Sequence, residues 1–120
     1  MSRDQATLLD IARAARLVLE FTRGMDQEAF LGDLKTQSAV LHQLMVLGEA
    51  VRRLSAPLRE SHPQIPWSLV TGMRDKLIHG YDAVDLDEVW LTAERDVEAT
   101  FAVKPHHPIK TRSIKKQKVE

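Results

Sequence analysis

The sequence predicts an all-α protein, and three features of its pattern support this class. Apolar residues recur at steps of three and four positions, as they do along one face of a helix. No segment shows the alternation of apolar and polar residues that is typical of a strand. Glycines and prolines fall between the periodic segments, where helices are expected to end. We therefore expect an up-and-down four-helix bundle with short extra helical turns.

The first helix is predicted from an apolar stripe with helical spacing, formed by Leu8, Leu9, Ile11, Ala15 and Val18. Gly24 is expected to end it, since glycine adopts the backbone conformation that follows many helices. Asp26 is the expected N-cap of a short turn over residues 27–31. We predict that Phe30 and Leu31 in this turn pack on the core.

The longest predicted helix runs from about Asp33 to Leu54. Its apolar seam steps by four and three residues through Val40, Leu44, Leu47, Val51 and Leu54, as in a helical bundle. Gly48 would allow a neighbouring helix to approach closely, at some cost in helix propensity. Glu49 follows it, and a glutamate at such a position is most often solvated or ion-paired.

Two further helices complete the predicted bundle. Pro57 suits the first turn of a short helical segment. Residues 62–66 form a loop, because Pro63 and Pro66 hold the residues before them extended, and Pro66-Trp67 then opens a third helix. Gly80 is expected to stop that helix. Asp85, with a glutamate three residues later, is a capping-box pattern that starts a fourth helix reaching about Ala102.

Charge divides the chain into two parts. Residues 104–120 hold six Lys or Arg and one acid, whereas residues 1–103 hold eleven bases and sixteen acids. We expect residues 1–103 to form the bundle and residues 104–120 to form a basic, extended or weakly ordered tail. The tail is either a solubilising end or a segment that contacts RNA or an acidic partner.

Composition excludes several classes of protein. The chain has no cysteine, and therefore no disulfide and no thiolate site. No stretch approaches the roughly 20 apolar residues of a membrane span, and no signal-peptide core follows Met1. We expect a cytoplasmic protein. Its core is modest for its size, so pairing with a second subunit would add stability.

One stretch, residues 74–81, carries the groups that could perform chemistry. Arg74 offers a permanently charged fork that matches a phosphate, and His79 can take and give a proton near neutral pH. Tyr81 adds a phenol at the same helix end. An RNA strand supplies its own nucleophile, the 2′-hydroxyl, so an arginine and a histidine suffice to cleave it without a metal.

The spacing of Arg74 and His79 places them on different faces of one helix. Five residues turn through about 500°, which leaves the two side chains about 140° apart around the axis. They converge only if the helix unwinds near Gly80 or if a second copy faces the first in a two-fold dimer. The residues alone leave another interpretation open, in which Arg74 pairs with Asp75 or Asp82 and His79 merely occupies a helix C-terminus.

The motif Arg74-x4-His79-x-Tyr81 resembles the R-x4-H-x-Y motif of HepT-like toxins, within the HEPN-domain family. The likeness covers about residues 8–101, and Asp75 stands where the family often has asparagine. Other segments resemble the family in the same order, namely Leu47-Gly48-Glu49-Ala50, Ile65-Pro66-Trp67, Val84-Asp85-Leu86 and Val89-Trp90.

The resemblance implies a function for each of these groups. HepT-like proteins are all-α, dimeric, metal-independent endoribonucleases that need no cofactor and act as toxins in toxin–antitoxin pairs. By this resemblance, Arg74 and His79 would be catalytic in a cleft between two subunits. Asp75 and Glu49 are candidate supporting residues, Asp75 because it follows the arginine and Glu49 because it stands in the matched segment of the long helix. The antitoxin would be a nucleotidyltransferase of the MntA type that silences the toxin by transferring AMP to Tyr81.

Two alternatives remain at this stage. Many HEPN-like bundles accompany nucleotidyltransferases without cutting RNA, so the chain could be a non-catalytic binding module. A metal site is the other alternative, but the remaining histidines lack the ligand spacing of a helical metal site. Those histidines are His42, His62, His106 and His107.

Overall fold

The computed structural model describes residues 2–101, with the backbone alone described at Tyr81 and Phe101, and over this range the chain is helical without a strand. The prediction of an all-α fold is confirmed. A 3₁₀ turn, Tyr81–Ala83, follows the fifth helix, and a π-helical turn, Thr92–Asp96, joins the last two. The helices are α1 (Arg3–Phe21), α2 (Gln27–Leu31), α3 (Leu34–Arg52), α4 (Ala56–Glu60), α5 (Trp67–Gly80), α6 (Leu86–Leu91) and α7 (Val97–Phe101).

Short polar side chains begin the first three helices, and the predicted cap of α2 is confirmed. Asp26 caps α2 by accepting a hydrogen bond from the backbone N–H of Ala29 at 2.9 Å. Asp33 caps α3 in the same way through Thr36 at 3.0 Å. The N–H and hydroxyl hydrogen bonds from Thr36 hold the pKa of Asp33 below its ordinary value. Between α1 and α2, Gly24 has φ +76°, a conformation that favours glycine.

The core lies where α3 packs between α1 and α5, and α7 packs against α1. The predicted seam of α3 is buried, and Phe30 of α2 reaches Trp90 of α6 with ring centroids 5.4 Å apart. Two predicted core residues, Leu9 and Leu31, are instead exposed. Each lies one position beyond a fully packed neighbour, Leu8 or Phe30, so a helical turn of about 100° directs it outward.

The fourth long segment differs from its prediction in two respects. Asp85 caps α6 through the N–H of Asp87, not through the reciprocal capping box, because Glu88 is instead paired with Lys76 of α5. The π turn was not predicted. A π turn adds one residue to a helical repeat, and here it brings Thr92 and Asp96 into the buried face.

Within the described range, no helix combines the length and apolar character that a bilayer span requires. The predicted tail, residues 104–120, lies outside that range, as does the expected end of the last helix at Ala102.

Candidate active site

Gly48 brings α3 and α5 into direct contact at Arg74. A Cβ atom built on Gly48 would lie 2.3 Å from the Cβ of Arg74 and 3.2 Å from the carbonyl oxygen of Val70. Side-chain atoms essentially never approach a real Cβ below 3.0 Å, so only glycine fits at this crossing. The expectation that Gly48 permits a close helix approach is confirmed.

Arg74 lies across this contact and forms ion pairs with two carboxylates. Its Nη2 is 2.8 Å from Oε1 of Glu49, and its Nη1 is 2.9 Å from Oδ1 of Asp75. Arg52 of α3 approaches the same Asp75 oxygen at 3.2 Å. Two arginines and two carboxylates thus alternate in one network, which fixes the guanidinium and leaves 21% of the Arg74 side chain exposed.

The exposed part of Arg74 faces a groove between α1, α3 and α5, which we name the arginine groove. It encloses about 420 Å³. Apolar and charged side chains share its walls, so it could hold a nucleotide-sized group beside the guanidinium. Its lining residues are Asp10, Arg13, Ala14, His42, Gln43, Met45, Val46, Glu49, Arg53, Arg74 and Ile78.

His79 lies outside the arginine groove. Helix α5 continues without a break to Gly80, as expected, so the helix does not unwind to bring His79 towards Arg74. The Nδ1 atom of His79 is 2.9 Å from the backbone carbonyl oxygen of Asp75. Because a carbonyl only accepts hydrogen bonds, Nδ1 carries the proton in this contact and leaves Nε2 as the basic nitrogen.

The two apolar residues of the motif, Leu77 and Ile78, differ in burial. Leu77 is buried in the core, but Ile78 has 48% of its surface exposed. Ile78 and Val46, which is 39% exposed, both line the arginine groove. Two apolar side chains therefore flank Arg74 at the surface of a single chain.

Tyr81 and the histidines proposed as metal ligands are the remaining predicted site residues. Tyr81 begins the 3₁₀ turn directly after α5, one residue beyond Gly80. Over residues 2–101, no cluster of three or more His, Asp or Glu side chains could hold a metal ion, and His106 and His107 lie beyond that range.

Sequence reasoning missed Arg52 as a partner of Asp75 and His42 as a wall of the groove. A signal for Arg52 was present, because it follows Glu49 by three positions and residues with that spacing share one helix face. No comparable signal marks His42, whose place in the groove depends on how three helices pack.

The fold and the spacing of Arg74 and His79 define the class of protein, a HEPN-like helical bundle. The chain belongs to the HepT-like family, since a family model described as ribonuclease HepT-like matches residues 11–104. The resemblance seen in the motif is thereby confirmed, and the family places the chain among the ribonucleases.

Archaeal relatives share most of the chain. A protein of Thermococcus cleftensis named a probable ribonuclease HepT is 46% identical over 90 residues, which cover 75% of this chain and 82% of that protein. Two proteins of Methanocaldococcus jannaschii, provisionally named as RNases, are 41% and 40% identical. Each match covers 78% of this chain, with 80% of the first protein and 77% of the second. No solved structure gives a significant match.

Proposed function

We propose that this protein is the toxin of a type VII-like toxin–antitoxin pair and acts in the cytoplasm as a metal-independent endoribonuclease. The ribonuclease class rests on family membership. The observation that most supports the rest is the placement of Arg74 and His79. Arg74 faces the arginine groove, while His79 lies outside it on the same unbroken helix. A two-fold homodimer that pairs Arg74 of one subunit with His79 of the other would complete the site.

In the proposed reaction, the RNA strand supplies the attacking 2′-hydroxyl. Nε2 of His79 takes its proton as the oxygen attacks the adjacent phosphorus. Arg74 keeps its carboxylate partners and donates its remaining N–H groups to the phosphoryl oxygens, which stabilises their charge. The bond from phosphorus to the 5′-oxygen breaks, and the imidazolium of His79 returns the proton to that oxygen. The products are a 2′,3′-cyclic phosphate and a 5′-hydroxyl.

The exposed apolar residues beside Arg74 support the proposed dimer. Val46 and Ile78 are large aliphatic side chains that one chain leaves partly in water. A second subunit seated at the edge of the arginine groove would cover them and gain about 25 cal/mol for each Å² of apolar surface removed from water. The same subunit would bring its own His79 towards the groove.

Mixing two inactive variants tests the shared site. Arg74→Ala and His79→Ala subunits, co-expressed in equal amounts, would form heterodimers in which one of the two sites keeps both groups. Half of all dimers are then mixed and each has one intact site, so cleavage should recover to about a quarter of the wild-type rate. A site contained in one chain would give no recovery, and each variant alone provides the baseline.

The proposed switch is the transfer of AMP from ATP to the hydroxyl oxygen of Tyr81 by an MntA-like nucleotidyltransferase antitoxin, with pyrophosphate as the leaving group. An AMP ester two residues after His79 would add negative charge and bulk where the RNA phosphate must bind. Co-expression with such an enzyme should raise the intact mass by one AMP unit and abolish cleavage. Tyr81→Phe is the control that should gain no mass, and an unmodified wild type would contradict the switch.

A non-catalytic binding module is the second candidate function, favoured by one observation. Arg74 is already paired with Glu49 and Asp75, an arrangement that an arginine with a purely structural function would also show. The two functions differ for His79→Ala. A nuclease should lose RNA cleavage and growth inhibition while it still dimerises, whereas a binding module should show no RNA cleavage even as the wild type.

A further inference from the structure

The crossing of α3 and α5 is tighter at Gly48 than a side chain would permit. The nearest atoms to a Cβ at position 48 would be the Cβ of Arg74 at 2.3 Å and its Cγ at 3.0 Å. The first of these is attached to the backbone of α5, so it cannot swing aside as the end of a long side chain can. Any residue larger than glycine must therefore push or turn α5 away from α3.

The next residue holds the other end of the same side chain. Oε1 of Glu49 lies 2.8 Å from Nη2 of Arg74. Gly48 thus sets where the Arg74 side chain starts, and Glu49 receives the guanidinium at its tip. Two adjacent residues of α3 together direct one arginine into the arginine groove.

We infer that Gly48 is a positioning residue of the ribonuclease site, required because it lets α5 approach until Arg74 reaches the phosphate-binding position. The inference rests on the proposed function of Arg74. It also gives a reason for a buried glycine in the middle of a 19-residue helix, where glycine is otherwise disfavoured.

The chain offers a matched control in Gly72. This glycine lies inside α5, two residues before Arg74, and a Cβ built there meets no atom within 4 Å. Gly72→Ala and Gly48→Ala therefore make the same chemical change within helices, and only the second meets Arg74.

The first experiment measures cleavage of a short single-stranded RNA under single-turnover conditions, with the full-length protein in excess. Folding and dimerisation are followed by circular dichroism and size-exclusion chromatography. Gly48→Ala should lower the cleavage rate about 100-fold, since a misplacement of about 1 Å costs that much. Gly72→Ala should stay within about twofold. A folded Gly48→Ala dimer that cleaves within twofold of the wild type would overturn the inference.

A double-variant cycle separates positioning from a general loss of structure. If Gly48 acts through the Arg74 guanidinium, Gly48→Ala should lower the rate far less in an Arg74→Ala background, where no guanidinium remains to be misplaced. A merely structural function would lower the rate by the same factor in both backgrounds, and that result would contradict the inference.

A second pair of variants applies if Gly48→Ala fails to fold. Arg74→Gly removes the Cβ that would collide with position 48, so the double variant Gly48→Ala/Arg74→Gly should regain the folded state. If Arg74→Gly folds alone but the double variant does not, the contact between these positions is not what requires the glycine.

The ¹⁵N signal of the Arg74 side chain distinguishes failure of the inference from failure of the proposed function. If the wild type cleaves no RNA, the ribonuclease proposal fails, but the positioning of Arg74 by Gly48 can still be tested. The Nε resonance of Arg74 should still move in Gly48→Ala and remain in place in Gly72→Ala. An unchanged resonance in both variants would overturn the positioning of Arg74 by Gly48.

Discussion

The two faces of α5 hold the same kinds of side chain in different settings. On one face, Arg74 pairs with Glu49 of α3 in the arginine groove. On the other, Lys76 pairs with Glu88 of α6 in a second groove of about 280 Å³, which we name the lysine groove. Its lining residues are Ser68, Leu69, Gly72, Met73, Lys76, Glu88, Leu91, Thr92, Arg95 and Asp96.

Packing distinguishes the two grooves more than composition does. Each has an ion pair between helices, a nearby glycine and exposed aliphatic side chains. Yet a Cβ at Gly48 would collide with Arg74, whereas a Cβ at Gly72 would meet open space. The Arg74 side chain is 21% exposed and the Lys76 side chain 56%. A cation held in a fixed position beside a groove can stabilise a transition state without reorganising, whereas a lysine whose side chain is mostly exposed must first rearrange the water around it.

The largest effect on RNA cleavage is expected from replacing one of the two cations, Arg74, and not the other, Lys76. Arg74→Ala should lower the rate of RNA cleavage by about 10²- to 10³-fold, the range found when a group that stabilises an oxyanion is removed. Lys76→Ala should stay within about twofold, because it removes only an exposed ion pair. Single-turnover cleavage of one RNA by both variants makes the comparison. Equal losses in the two variants would show that the grooves do not differ in function.

The next effect concerns the apolar walls of the grooves. Ile78→Glu should dissociate the proposed dimer, since it places a charge at the surface that the second subunit would bury, and cleavage should fall with dimerisation. Leu91→Glu, at a site 47% exposed in the lysine groove, is the matched control and should leave the dimer intact. Light scattering at several protein concentrations gives the mass. A dimer lost in Leu91→Glu and kept in Ile78→Glu would reverse the assignment of the interface.

A smaller effect is expected from the two glutamates. Glu49→Gln removes a carboxylate that orients Arg74, and an ion pair this exposed contributes at most about 1 kcal/mol, or about fivefold in rate. Glu88→Gln should leave the rate unchanged. Steady-state kinetics should place the Glu49→Gln effect in kcat rather than KM. An equal change of rate in both variants would contradict a function for Glu49 in orienting Arg74.

The smallest effect is expected at Asp33, which lies outside both grooves, and it concerns the stability of the fold and not RNA cleavage. Hydrogen bonds from Thr36 lower the pKa of Asp33 in the folded state. The Asp33 carboxylate therefore stabilises the fold fully above its ordinary pKa of 3.8, and this stabilisation is lost as the pH falls through the lowered pKa. Asp33→Asn keeps the cap but cannot titrate. Its stability should therefore depend less on pH below about 4 than that of the wild type, as measured by urea unfolding, while cleavage at neutral pH is unchanged. A steeper acid dependence in Asp33→Asn would contradict the sign of the shift.

Much of the fold follows from local patterns in the sequence. The spacing of apolar residues and the polar caps predicted the helices, because helix formation and capping depend on neighbours within a few positions. The motif also predicted that Arg74 and His79 lie on different helix faces, and α5 continues unbroken past both. The catalytic functions of Arg74 and His79, and the modification of Tyr81, stay predictions.

The tertiary structure decided which of these residues meet. The contact of Gly48 with Arg74, the pairing of Arg52 with Asp75 and the partial exposure of Ile78 all depend on where α3 and α5 cross. Periodicity indicates which side of a helix is apolar, but it does not encode the distance or register between two helices. The sequence by itself therefore determined the helices and the chemistry that the motif offers. Packing between helices determined that Arg74 is held at a groove while His79 lies outside it.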